Sequence, residues 1–301
     1  VERLSASFVD HVIVSNHLWL KTLVARSAPE AKCSTFINHV DTEMFSLHAK
    51  TRNDDRFVIL FPGSLQWHQG VDIAIEAFAR VKQKVPNAEF HIYCGSGGAM
   101  RDELQQLTKE LGLEESVKFM KAVSHDQIAQ VIANADLGVV PKRADSFGNE
   151  AYSTKIMEFM SQGVPVVASR TKIDAFYFEE GIVHFFRSGD SRSMAEAILD
   201  VVNSSKLRQS LARSGYEYVK RHGWDQKKKE YLDLIDSLST EIFADVQGGD
   251  LQPVLGSMSA DMTHDGHMRP SPNPVTQEVS TLALRLQRGK DLKGRQPTLR
   301  R

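Results

Sequence analysis

Residues 149–169, NEAYSTKIMEFMSQGVPVVAS, leave a chain of this kind few choices of fold. Ser153 is a natural N-cap, and Thr154 to Gln162 carries Ile156, Phe159 and Met160 on one helical face. Gly163 supplies the left-handed residue that stops a helix, and Pro165 prevents a restart. Val164 to Ala168 is then a short apolar run of the kind buried on both faces of a parallel sheet. The start of such a helix leaves the N–H groups of Thr154 to Ile156 without intrahelical partners, which makes a seat for an anion. Glu150 and Glu158 flank that seat, one before the helix and one inside it. N–H groups that take a phosphate and carboxylates that accept from hydroxyls together suit a sugar nucleotide.

The surrounding sequence repeats the same alternation. Apolar strands are predicted at Phe57 to Phe61, Glu89 to Cys94, Val117 to Met120, Leu137 to Val140 and Val183 to Phe186. Amphipathic helices are predicted between and after them, at Val71 to Val85, Met100 to Leu111, Ser124 to Asn134, Ser191 to Val202, Leu207 to Arg221 and Trp224 to Phe243. Strands apolar on both sides that alternate with helices imply an α/β parallel sheet covered on both faces, and ligands of such sheets bind outside the carboxyl ends of the strands. The 37 basic and 38 acidic residues balance, so nothing in the overall charge points to nucleic acid or an acidic membrane surface. Cys33 and Cys94 match no metal-site spacing and suit reduced thiols of a cytoplasmic protein. No signal peptide or membrane-spanning run is apparent.

Glu150-x7-Glu158 followed by FMSQGVPVVAS resembles the E-x7-E signature of family 4 (group 1) glycosyltransferases with the GT-B fold. The resemblance implies a Rossmann-like donor-binding domain preceded by part of a second β/α domain. Residues 1–45 are similar to the end of the family's acceptor-side domain: helix, strand Phe8 to Val14, Ser15 capping a helix over His17 to Arg26, strand Ser34 to Ile37, then Asn38 to Phe45. Residues 46–55 are polar and aperiodic, a linker; 56–223 would be the donor domain and 224–247 the helix that crosses back. Residues 248–301 hold half of the chain's ten prolines and read as a disordered tail. Within that tail Val279, Leu282, Ala283 and Leu286 form one apolar stripe followed by basic residues, a candidate peripheral membrane contact.

By resemblance, Gly63-Ser64-Leu65-Gln66-Trp67-His68-Gln69-Gly70 occupies the place of the family's G-R-L-x-x-x-K-G, whose arginine and lysine hold the donor diphosphate. Here those two positions are Ser64 and Gln69, so both charges are missing. Gly63 and Gly70 remain and allow close backbone approach. Lys142 and Arg143, after the strand ending at Val140, and Lys155, in the first turn of the anion-seat helix, are candidate substitutes at the same sheet edge. Gly95 opens a glycine turn, Gly95-Ser96-Gly97-Gly98, similar to the family's G-x-G turn. Val117 to Ala122 resembles the stretch that meets the nucleotide base. Asp145-Ser146-Phe147-Gly148 also matches the start of the acid motif but lies five residues further from Glu158 than Glu150 does, so two placements of the first acid stand.

These features imply a retaining glycosyltransferase that moves a sugar from a nucleotide diphosphate donor, without a metal, to a glycan or lipid-linked acceptor in surface polysaccharide assembly. Glu150 would be the catalytic acid-motif residue. Gly63, Ser64, Gln69, Gly70, Gly95, Lys142, Arg143, Ser153, Thr154, Lys155 and Glu158 would form the donor site. The chain starts in mid-pattern at Val1, so a separately encoded N-terminal half is a candidate partner, and binding without turnover is expected of this chain alone. Two other readings stand beside this one, a non-catalytic sugar-nucleotide or partner-binding domain and a sugar-nucleotide epimerase of the same fold.

Overall fold

The computed structural model describes residues 1–95 and 98–248. The expected tail, with its apolar stripe at Val279 to Leu286, lies outside the described residues beyond Gly248, as do Ser96 and Gly97 of the glycine turn. The chain opens with helix α1 (Glu2–Phe8), strand β1 (Val12–Val14), helix α2 (His17–Arg26) and strand β2 (Cys33–Thr35). β1 and β2 pair in parallel, with Val12 opposite Cys33. The cap of α2 is Asn16, not Ser15: the fully buried Asn16 side chain accepts from the Trp19 N–H. Asparagine has both a carbonyl and an amide to place, and the Asn16 amide donates to the Glu150 carbonyl at 3.0 Å.

From residue 57 the order is β3 (Phe57–Pro62), α3 (Val71–Lys84), β4 (Ala88–Cys94), α4 (Gly98–Glu110), β5 (Val117–Lys121), α5 (His125–Ala133), β6 (Leu137–Val140), α6 (Thr154–Ser161) and β7 (Val166–Ser169). Then come α7 (Lys172–Tyr177), β8 (His184–Phe186), α8 (Ser191–Asn203), α9 (Ser205–His222) and α10 (Trp224–Gly248). The six strands β3 to β8 form one parallel sheet in the order β5-β4-β3-β6-β7-β8. Its order reverses between β3 and β6, and such a switch point opens a crevice at the carboxyl edge.

Alternation along each strand sends residues to two apolar layers. Ile59, Phe61, Phe90, Ile92, Val139 and Val167 pack with α3, α4 and α8 on one face. Leu60, Val140, Val166 and Ala168 pack with α5 and α6 on the other. The stretch that constrained the fold behaves as its pattern requires. Ile156, Met157, Phe159 and Met160 are buried to 1% exposure or less, each contributing about 1.5–3 kcal/mol of apolar burial. Gly163 stops α6 at φ +64°. The strand after it starts two residues later than expected, at Val166, because Gly138 pairs with Val166 while the Pro165 carbonyl accepts the Gly138 N–H. Helix α7 was not expected from the sequence at all.

The polar segment 46–55 contains no helix or strand, yet it is fastened to the larger sheet's flank. The Gln162 amide donates to the carbonyls of Phe45 (2.8 Å) and Ser46 (3.0 Å), and its oxygen accepts from the His48 N–H (3.0 Å). Further along, the Asn134 oxygen accepts from the Thr51 and Arg52 N–H groups, and Arg52 pairs with Asp136. Among the described residues no helix is long and apolar enough to cross a membrane.

Candidate functional site

A cavity of about 490 Å³ opens at the carboxyl ends of β3 and β4 and is bordered by His39, Val40, Asp41, Met44 and Phe45 of the connection before the linker. Five of the residues expected to hold a donor line it: Gly63, Gly95, Thr154, Lys155 and Glu158. They meet because β3, β4 and α6 all end or begin at this edge.

Beside the carboxylates of Asp41 and Glu158, the one lysine or arginine in the cavity lining among the described residues is Lys155. Its stem crosses bare backbone at Gly63, where φ is +145° and a Cβ would come 2.5 Å from Lys155 Cε. Its Nζ donates to Gln69 Oε1 at 3.2 Å, so the position that resembles a lost lysine instead orients a lysine from elsewhere. Burial lowers the Lys155 pKa, the Glu158 charge opposes that shift, and Lys142 adds to it. Burial conversely raises the Glu158 carboxyl, against the Thr154 hydroxyl and the neighbouring Lys155 and His125 side chains. Lys155 and Glu158 thus share a cavity that resists charging both of them. An anionic ligand with hydroxyl groups relieves both, by pairing with the first and donating to the second.

Ser153 occupies the N-cap position of α6 but makes no side-chain cap, leaving first-turn N–H groups of this helix free of that partner. Gly70 lies at the start of α3 with φ +65°, where an added Cβ would sit 2.1 Å from the Pro141 carbonyl oxygen. It holds the β3–α3 turn against the end of β6 instead of lining the cavity. Ser64 is exposed.

The other two candidate phosphate cations are committed internally. Arg143 forms a two-pronged pair with Asp72 (3.0 and 2.6 Å) and stacks on Trp67 with its guanidinium 3.5 Å from the ring centre. Lys142 is buried, 2.8 Å from Asp174 Oδ2, and donates to the Ala151 carbonyl at 2.6 Å. Neither lines the cavity. Glu150 also lies outside the lining; its backbone carbonyl accepts from the Asn16 amide at 3.0 Å.

Sequence reasoning missed His125, which lines the cavity, and Asp174, which lies outside the lining and holds Lys142. His39, which reads from sequence as a polar linker residue, lines the cavity as well. The His39 Nδ1–H donates to the His222 carbonyl (2.7 Å), which ties the connection to the end of α9. Helix α7 brings Asp174, and its signal was present: Thr171-x-x-Asp174 is a capping-box spacing. The Thr171 hydroxyl donates to the Asp174 carboxylate (2.7 Å) and accepts from the Asp174 N–H (3.2 Å).

Residues 45–218 match the family described as Glycosyl transferases group 1. The D-inositol 3-phosphate glycosyltransferase of Corynebacterium urealyticum is 27% identical over 189 residues, which are 61% of this chain and 43% of that protein. The chain therefore spans less than half of that relative's length. Sucrose-phosphate synthase from Thermosynechococcus elongatus has a similar structure, with a TM-score of 0.70 at 20% identity, over 80% of this chain and 61% of that one. HepE from Anabaena in complex with UDP gives a TM-score of 0.67 at 21% identity, over 78% and 66% of the two chains.

Proposed function

The chain belongs to the group 1 glycosyl transferases and has their GT-B-type α/β fold, and we propose that it supplies the donor-binding side of a retaining transfer from a nucleotide diphosphate sugar to a glycan or lipid-linked acceptor. The observation that carries this reading is the meeting of Lys155 and Glu158 in one cavity at the carboxyl ends of β3 and β4, beside the start of α6. The diphosphate takes Lys155 and the first-turn N–H groups of α6. The ribose hydroxyls donate to Glu158, and the base lies toward Ala122 and Val123, which border the same cavity. A neighbour of this fold was solved with UDP, which favours a nucleotide over a simple anion. In this assignment residues 56–223 are the donor domain and 1–45 the end of an acceptor-side domain.

In the transfer, the bond between the anomeric carbon and the diphosphate oxygen breaks, and the acceptor hydroxyl oxygen bonds that carbon. The proton of the hydroxyl goes to the leaving diphosphate. The protein's part is electrostatic: Lys155 and the N–H groups meet the charge that develops on the leaving group. Calorimetric titration with UDP, GDP and the matching nucleosides tests the binding half. A diphosphate must bind more tightly than its nucleoside, and Lys155→Met must narrow that gap. An unchanged gap would remove Lys155 from the site.

A further inference from the structure

Three consecutive carbonyls in the loop that carries Glu150 are held by three different parts of the chain. Asn149 O accepts from the Ile173 N–H of α7 (3.1 Å), Glu150 O from the Asn16 amide (3.0 Å), and Ala151 O from the Lys142 ammonium (2.6 Å). The Asn149 side chain is fixed as well, accepting from the Lys172 N–H at 2.8 Å. Loops ordinarily leave their backbone to water. Here the donors are a buried lysine, a buried asparagine and the first turn of a helix.

The lysine is in turn held by a carboxylate with no solvent access. Asp174 sits 2.8 Å from Lys142, receives the Thr171 hydroxyl, and leaves Oδ1 without a hydrogen-bond partner among the described residues. Burying a lysine–aspartate pair carries a large desolvation cost that a well-packed apolar pair would avoid. We propose that Lys142 and Asp174, with α7, are positioning residues that lock the backbone at 149–151, so that Glu150 meets the donor sugar already oriented. This rests on the reading of Glu150, which lies outside the cavity lining, as the first acid of the motif that the sequence resembles.

The test uses the full chain and the double variant Lys142→Met/Asp174→Leu, which removes the donor to Ala151 without stranding a buried charge. Amide hydrogen exchange over residues 145–152 should rise about tenfold or more, about 1.4 kcal/mol of lost protection, while β6 and β7 stay within about twofold of wild type. Unchanged exchange in the loop, or an equal rise throughout the chain, overturns the lock. A second arm compares affinities for UDP and UDP-glucose in wild type, Glu150→Gln and the double variant. Any preference for the sugar conjugate should shrink in both variants, with UDP affinity unchanged. If Glu150→Gln leaves the preference intact, or wild type binds neither probe, the reading of Glu150 fails and the exchange arm still judges the lock. If only the double variant keeps the preference, the positioning role is overturned.

Discussion

The Lys142 ammonium lies 2.8 Å from the Asp174 carboxylate, with the two side chains 4% and 0% exposed. This pair connects the end of β6 to α7 and explains why a cation next to the sheet's carboxyl edge does not face the cavity. Breaking it from one side leaves a buried charge without its partner. Lys142→Met or Asp174→Leu alone should each cost about 3–5 kcal/mol, while the double change should cost far less than their sum. Chemical denaturation of the four proteins in the cycle measures this. Additive losses would mean that the two groups are not coupled.

Lys155 gives a pH signature. Its pKa is lowered from 10.5 by burial, so part of its charge is lost as pH rises toward that value. A bound diphosphate stabilises the charged form and raises the pKa again. Binding must therefore take up protons on the alkaline side, and affinity must fall as pH rises through the lowered pKa. Calorimetry in buffers of different ionisation enthalpy reads the uptake, and Lys155→Met should abolish it. Uptake that persists in the variant would point to another group.

Glu158 is held above its ordinary carboxyl range by burial. In the folded chain the acid form is favoured, so between 4.5 and the raised value this group makes stability fall as pH rises. Glu158→Gln should remove that slope in a pH series of denaturation midpoints. It should also weaken nucleotide diphosphate binding by about 1.5–3 kcal/mol, the range for hydrogen bonds to a charged group. An unchanged affinity would take ribose recognition away from Glu158.

The two glycines at the sheet edge should separate fold from site. Gly70→Ala places a Cβ 2.1 Å from the Pro141 carbonyl at φ +65° and should cost about 2 kcal/mol or more of stability. At Gly63 the nearest obstruction is Lys155, 2.5 Å away at Cε. Gly63→Ala should therefore lower diphosphate affinity by displacing that side chain, beyond any loss of melting temperature. Equal effects of the two variants on binding and melting would contradict this division.

Most of the sheet was legible because its signals are local. Apolar runs such as Leu137 to Val140, and the Gly163-x-Pro165 stop after α6, fix element type without knowledge of partners. The site was legible only in part, since residue type says what a side chain can do and not what has already claimed it. Lys142, Arg143 and Lys155 are equivalent in sequence as cations near one edge. Asp174, 32 positions after Lys142, and Asp72, 71 before Arg143, claim the first two, and Lys155 alone faces the cavity. Gln69, which resembles a lost phosphate ligand, proves to orient Lys155. The segment 46–55 read as a linker because Gln162, Asn134 and Asp136, which hold it, lie 80 or more positions away.

The central claim is that a nucleotide diphosphate occupies the cavity between β3, β4 and α6. Hydrogen-exchange mapping of the full chain with saturating UDP or GDP tests it most directly. At least one of them should slow exchange at the start of α6, Thr154 to Glu158, and around Ala122 to His125, leaving β8 and α8 unaffected. Saturable binding with protection elsewhere, or no saturable binding of either nucleotide, would contradict the account.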